Sequence, residues 1–148
     1  MTAHRIGWRE WVALPQFGVV AIKAKVDTGA ASSSLHAFGL SRFSGDDGTD
    51  RVRFQIQPRQ RSRTGRVTVE AEVVEARTVR NPGGRREIRP VIRTALQWSD
   101  VIWEAEINLT SRDEMGFRML LGRKTVKNRF LVDPGSSYLG GRPSMEES

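Results

Sequence analysis

The chain has 148 residues, 38% of them hydrophobic, with no cysteine and a formal net charge of +7. That length suits one small domain able to bury a core without covalent staples; the missing cysteines exclude a disulfide framework. No stretch approaches the roughly 20 apolar residues of a membrane-spanning helix, and Met1 to Trp11 lacks the apolar run of a signal peptide, so a soluble cytoplasmic protein is expected.

The first clear element precedes residue 27. Val20, Ile22, Ala24 and Val26 are apolar on one parity while Lys23 and Lys25 occupy the other, the two-residue period of a half-buried strand. The strand runs into Asp27-Thr28-Gly29-Ala30, where Gly29 permits a tight backbone path and Thr28 supplies a hydroxyl. Small Ala30 and Ala31 let a second backbone approach. Such a loop can present a carboxyl group at a symmetric contact. Two copies meeting there cannot both ionise a few Å apart; the pair then shares a proton, leaving one base and one acid for attack of water on an amide. One Asp per chain would make that active site dimeric. The same three residues are also ordinary turn formers, so Asp27 can equally be read as a turn or cap.

Further along, Val52, Phe54 and Ile56 alternate with Arg53, Gln55 and Gln57, and Val67, Val69, Ala71 and Val73 with Thr68, Glu70 and Glu72. Both runs predict half-buried strands, with a bulge or bend at Val73-Val74, where the apolar parity switches. Asn81-Pro82-Gly83-Gly84 is a strong turn signal between extended segments. Trp103, Ala105, Ile107 and Leu109 mark another alternating strand. Met119-Leu120-Leu121-Gly122-Arg123 reads alone as a short buried strand ending in a turn. Val132-Asp133-Pro134-Gly135 imitates a second acid loop, but Pro134 removes both hydroxyl and N–H, and 15 residues after Asp133 cannot form another lobe. Asp133 is therefore expected in a turn, the partner carboxyl on a second chain, and residues 139–148 in a flexible tail.

Taken together, the Asp27-Thr28-Gly29-Ala30 loop and the later Leu120-Leu121-Gly122-Arg123 segment resemble the retropepsin-like aspartic peptidases. Ile6 to Val12, Ile22 to Ala30, Leu35-His36-Ala37, Arg89 to Ile92 and Gly116 to Arg123 are more specifically similar to the bacterial family labelled ATP-dependent zinc protease, of the RimK-associated type. The resemblance covers residues 5–138, read as a single domain. It implies an all-β, closed barrel lobe with one short helix after the Leu-Leu-Gly segment, Asp27 as catalytic acid with Thr28 and Gly29, and Ala30, Leu120, Leu121, Gly122 and Arg123 packed behind them. In such a lobe the hairpin at Gly83 and Gly84 is the flap over substrate, or else an ordinary surface hairpin. Arg89 and Arg93 beside it are candidate substrate contacts, or solvated strand charges.

The family also implies a link to an ATP-grasp ligase that appends glutamates to a ribosomal protein. Its label does not fit the residues: zinc takes three or four Cys, His or carboxylate ligands at set spacings, whereas this chain offers only His4, in an expected N-terminal tail, and His36. The sequence has no phosphate-binding Gly-x-x-x-x-Gly-Lys-Ser/Thr loop, so any ATP dependence belongs to a partner. No cofactor is expected.

Charge gives the remaining signal. Four of the 24 basic residues are Lys, leaving 20 Arg, and six Arg with no acid lie between Asp50 and Glu70. The planar Arg fork suits carboxylates and phosphates. Two functions follow. One is a homodimeric aspartic peptidase acting on acidic, oligoglutamate-like peptides. The other is a non-catalytic module in which Arg59, Arg61 and Arg63 bind an acidic protein or nucleic acid. A solvated basic loop is the plain alternative for those three.

Overall fold

The computed structural model describes residues 3–59, 62–80, 83–111 and 116–142. Strand β1 (His4–Leu14) pairs antiparallel with β2 (Val19–Asp27) after the one-turn helix Pro15–Phe17. Strands β3 (Ser33–His36), β8 (Arg86–Trp98), β9 (Val101–Thr110) and β10 (Met119–Gly122) complete the main sheet, in the order β1-β2-β10-β3-β9-β8. Ala13 opposite Gln97 joins β8 back to β1 and closes a six-stranded barrel. Two further strands extend the sheet: β7 (Glu75–Arg80) pairs with β8, and β11 (Phe130–Ser137) runs parallel to β1. An all-β barrel with a short α-helix, α1 (Arg123–Val126), directly after the Leu-Leu-Gly segment is the architecture expected.

Period-2 patterning places the core. Ile22 and Ala24 of β2, Ile107 of β9 and Leu121 of β10 are fully enclosed and belong to one cluster. A separate sheet of β4 (Phe38–Ser44), β5 (Asp50–Ile56) and β6 (Val67–Glu72) adds Val52, Phe54 and Ile56 to that cluster, and the Phe54 ring meets Phe17 edge-on at 6.1 Å. A fully buried side chain of this size contributes about 1.5–3 kcal/mol, enough to hold the small sheet against the barrel. The expected bend at Val73-Val74 is where the chain changes sheets: the Val73 amide donates to Asp50 O and the Val74 amide to Val91 O.

Two segments differ from expectation. His4 is not in a tail; it opens β1 opposite Phe130, beside Trp98 and Phe130. Asp133 is not in a turn but within β11, opposite Gly7. Its carboxylate accepts from the Gly135 amide at 3.0 Å and the Ser136 hydroxyl at 2.8 Å. The Ser136 bond first, then the Gly135 bond, hold its pKa below the usual carboxylate range. A local side-chain to backbone bond of this type mimics a turn inside an edge strand. Beyond β11, Leu139 and Gly140 donate their amides to Glu10, so residues 139–142 lie against the barrel; residues 143–148 lie outside the described residues.

Candidate active site

The loop carrying Asp27 owes its shape to strand order. β2 and β3 are consecutive in the chain but not neighbours in the sheet, because β10 lies between them, parallel to β2 and antiparallel to β3. Residues 28–32 must therefore cross the end of β10, and Gly122 sits opposite Asp27 at that crossing. A Cβ on Gly122 would lie 2.3 Å from Ser32 O and 2.9 Å from Ala30 O. Only glycine lets the two backbones approach this closely. Gly122→Ala is expected to cost about 1–3 kcal/mol by overpacking, seen as a lower thermal midpoint; a midpoint equal to that of the unsubstituted protein would show that the loop relaxes freely.

Past Gly122 the chain turns into α1, whose first N–H groups would otherwise lack partners. They bond the loop: Arg123 N donates to Ala30 O at 2.7 Å and Lys124 N to Ala31 O at 3.1 Å. The Arg123 guanidinium donates to Thr28 O at 2.9 Å, and Gly122 N to the Ser33 hydroxyl at 2.9 Å. Behind this layer Ser33 Oγ is hydrogen-bonded to Thr125 Oγ1, and the Trp103 indole N–H donates to Thr125 O at 3.1 Å. The loop closes on itself through Ala30 N to Asp27 O at 3.2 Å, while the Gly29 amide donates to Asp27 Oδ1 at 2.9 Å. Asp27 is half-buried, and Thr28 and Gly29 are exposed. The result is a carboxyl group held by its own loop and presented at the surface.

The other residues singled out from the sequence lie elsewhere. Ala30, Gly122 and Arg123 form the brace just described, with Leu121 in the core beneath it and Leu120 opposite Ser34. Arg89 is buried: its guanidinium donates to Asn108 Oδ1 and to Glu87 Oε2, each at 3.1 Å. Asn108 Oδ1 also accepts from Ser34 Oγ, so Arg89 ties β8 and β9 to β3 rather than facing an open groove. Arg93 is exposed and pairs with Glu106 at 2.9 Å, which raises its pKa. Gly83 and Gly84 are exposed in the β7–β8 turn, Gly84 with φ +82°; Asn81 and Pro82 lie outside the described residues. So does Arg61, while Arg59 and Arg63 are exposed.

Sequence reasoning missed Arg77, an alternating strand position without distinctive neighbours. From β7 its guanidinium donates to Ser32 Oγ at 2.8 Å and reaches Glu75 and Glu106. It joins Ser32, Arg93, Glu106, Lys124 and Arg129 around a groove of about 670 Å³. Asp27, Thr28 and Gly29 are not in its lining, whereas Ser32 and Ser33, at the far end of the same loop, are.

For zinc the described side chains offer no ligand set. Among the described residues no group of three or more His, Cys, Asp or Glu stands together, and buried His36 has Arg118 Nη1 at 2.8 Å from Nδ1 and Phe38 against its ring. No described helix is long and apolar enough to cross a membrane.

Residues 5–143 match the family described as RimB-like, retropepsin-like aspartic endopeptidase RimB. The chain belongs to this family. A protein from Shewanella pealeana named probable alpha-L-glutamate ligase is 44% identical over 142 residues, 95% of this chain but 31% of the relative. One of the same name from Parasynechococcus marenigrum is 47% identical over 136 residues, 91% of this chain and 29% of the relative. The chain thus spans less than a third of the length of these relatives. A crystal structure of a Legionella pneumophila protein of unknown function (DUF785) superposes with a TM-score of 0.78 at 28% identity, covering 94% of this chain and 99% of that one. The all-β barrel fold agrees with the family.

Proposed function

We propose that the protein is an aspartic-type peptidase whose acid dyad forms when the Asp27 loops of two copies meet, and that its substrates are acidic peptides. The observation that carries this reading is the brace: a loop fixed by α1 and Gly122 that nevertheless leaves Asp27 at the surface, with its neighbours Thr28 and Gly29 exposed. Two such carboxyl groups a few Å apart hold one proton between them. The ionised one takes a proton from water as the oxygen attacks the peptide carbonyl; the protonated one gives its proton to the carbonyl oxygen. Collapse of the tetrahedral species breaks the C–N bond, with a proton delivered to the leaving amine. The β7–β8 hairpin, ending at Gly83 and Gly84, serves as a flap.

Acidic specificity follows from the +7 charge and from Arg77 and Arg93 on the strands leading from that hairpin. Exposed ion pairs such as Arg93–Glu106 hold only weakly, so the Arg93 guanidinium can turn to a substrate carboxylate. The relatives named as glutamate ligases support a glutamate-tailed substrate, made by a ligase that is either a partner or an attached domain. ATP then belongs to the ligase step. The test is hydrolysis of a glutamate-tailed peptide by the purified protein across pH, with and without chelator. Chelator-resistant cleavage with an acid-side optimum, and a specific rate that rises with protein concentration, is the expected result. Cleavage abolished by chelator, or none at any pH, would overturn the reading.

A further inference from the structure

Away from the acid loop, the outer face of β2 opens into a basic groove. Ala21, Lys23, Lys25 and Asp27 fall on one parity of the strand, and near Ala21 and Lys23 two adjoining cavities of about 260 and 320 Å³ share Ala21, Pro58, Arg59 and Arg142. The linings of the two include Lys23, Arg59, Arg66 and Arg142 and no acidic residue. Two of these cations are anchored on an aromatic ring: Lys23 Nζ lies 5.4 Å and Arg142 Cζ 4.8 Å from the centroid of Trp11. Arg66, whose guanidinium lies over the Phe38 ring at 5.2 Å, adds a buried Nε with no hydrogen-bond partner among the described residues. A buried N–H left unpaired costs about 1–3 kcal/mol, and a carboxylate accepting from the guanidinium edge would remove that cost.

We infer that this groove is a second anionic subsite, which takes the side chains of an acidic peptide well away from the bond being cut. The inference rests on the peptidase reading for its link to Asp27. At about 3.3 Å per residue, Lys23 and Ala21 lie roughly 13 and 20 Å from Asp27 along β2. An extended peptide bridges that gap with about four to six residues, so the subsite favours long acidic chains over short ones. Nucleic acid fits less well. Single strands bind by stacking bases on open aromatic faces, and the one ring in these linings, Trp11, is already engaged by Tyr138 at 5.9 Å and by the two cations.

The test compares the full chain with Lys23→Ala and Arg66→Gln, checking by thermal melting that each folds. Binding of a four-residue and a twelve-residue oligoglutamate is measured on an Asp27→Asn background, so that hydrolysis does not intervene; cleavage of both is followed with Asp27 present. Loss of a charge-assisted contact is expected to weaken binding of the long peptide about tenfold and raise its KM, with kcat and short-peptide binding unchanged. Equal binding of the long peptide by variant and parent would overturn the subsite even if the protein cleaves well. Weakened long-peptide binding in a protein that cleaves nothing would keep the subsite and remove the peptidase. Tighter binding of a twelve-nucleotide single strand than of the long peptide, lost in the same variants, would overturn the peptide assignment.

Discussion

Asp27→Asn is expected to lower peptide hydrolysis by more than about a thousandfold, within the range that general acid–base groups supply, while leaving the fold in place. The asparagine carbonyl can still accept the Gly29 amide, as Asp27 Oδ1 does at 2.9 Å, and the bonds that brace the loop come from the backbone and from Arg123. Stability should therefore change by no more than about 0.5 kcal/mol, as for substitutions outside a packed core. The amide can neither take a proton from water nor give one to the carbonyl oxygen. The dyad adds a sharper consequence. Excess Asp27→Asn chain mixed with the unsubstituted protein would draw active copies into pairs with a single carboxyl, and the specific rate should fall. Retained activity in the variant would remove Asp27 from the chemistry. Unchanged activity on mixing would remove the dyad while leaving Asp27 in place.

What the sequence disclosed follows from how local each signal is. Strands with one buried face, such as Val19–Asp27 and Asp50–Ile56, announce themselves through alternation. β8 does not, because it changes role along its 13 residues. Its first part pairs only with β7 up to Pro90, where the missing N–H is tolerated for lack of a second neighbour; its second part pairs with β9 and, at Gln97, with β1. That Leu120 to Arg123 pack behind the Asp27 loop was implied by the resemblance, through the pair of motifs; the glycine that the close backbone approach requires is Gly122. The Arg77–Ser32 contact was not legible, since it joins residues 45 apart through side chains on different strands. Arg89, a candidate substrate contact or else a solvated strand charge, is buried, because Asn108 and Glu87 supply acceptors that lie at remote or unremarkable positions.

Glu10 was equally invisible, and it carries the largest expected loss of stability. It lies on the inward parity of β1, fully buried, where alternation calls for an apolar residue. Four N–H groups converge on its two oxygens: Gly7 N at 2.7 Å and Leu139 N at 2.9 Å on Oε2, the Trp98 indole at 2.9 Å and Gly140 N at 3.1 Å on Oε1. Gly7 stands where a Cβ would lie 2.2 Å from Ser136 O, so this corner joins the start of β1, the end of β8 and the segment following β11. Glu10→Ala removes every acceptor at once. With the two buried donors, the Gly7 amide and the Trp98 indole, each costing about 1–3 kcal/mol when orphaned, and the two part-buried amides adding less, the sum is about 2–6 kcal/mol, a large share of the roughly 5–15 kcal/mol that holds a domain together. Glu10→Gln keeps one acceptor oxygen and turns its NH₂ toward donors, so it should fall between the two. Denaturant unfolding of the three proteins checks the order, and proteolysis locates the effect: cleavage near Leu139 should accelerate before the barrel opens. An alanine variant as stable as its parent would mean that water replaces the carboxyl group at this corner, and that the strand pairing of β1 with β11 alone keeps the C-terminal segment in place.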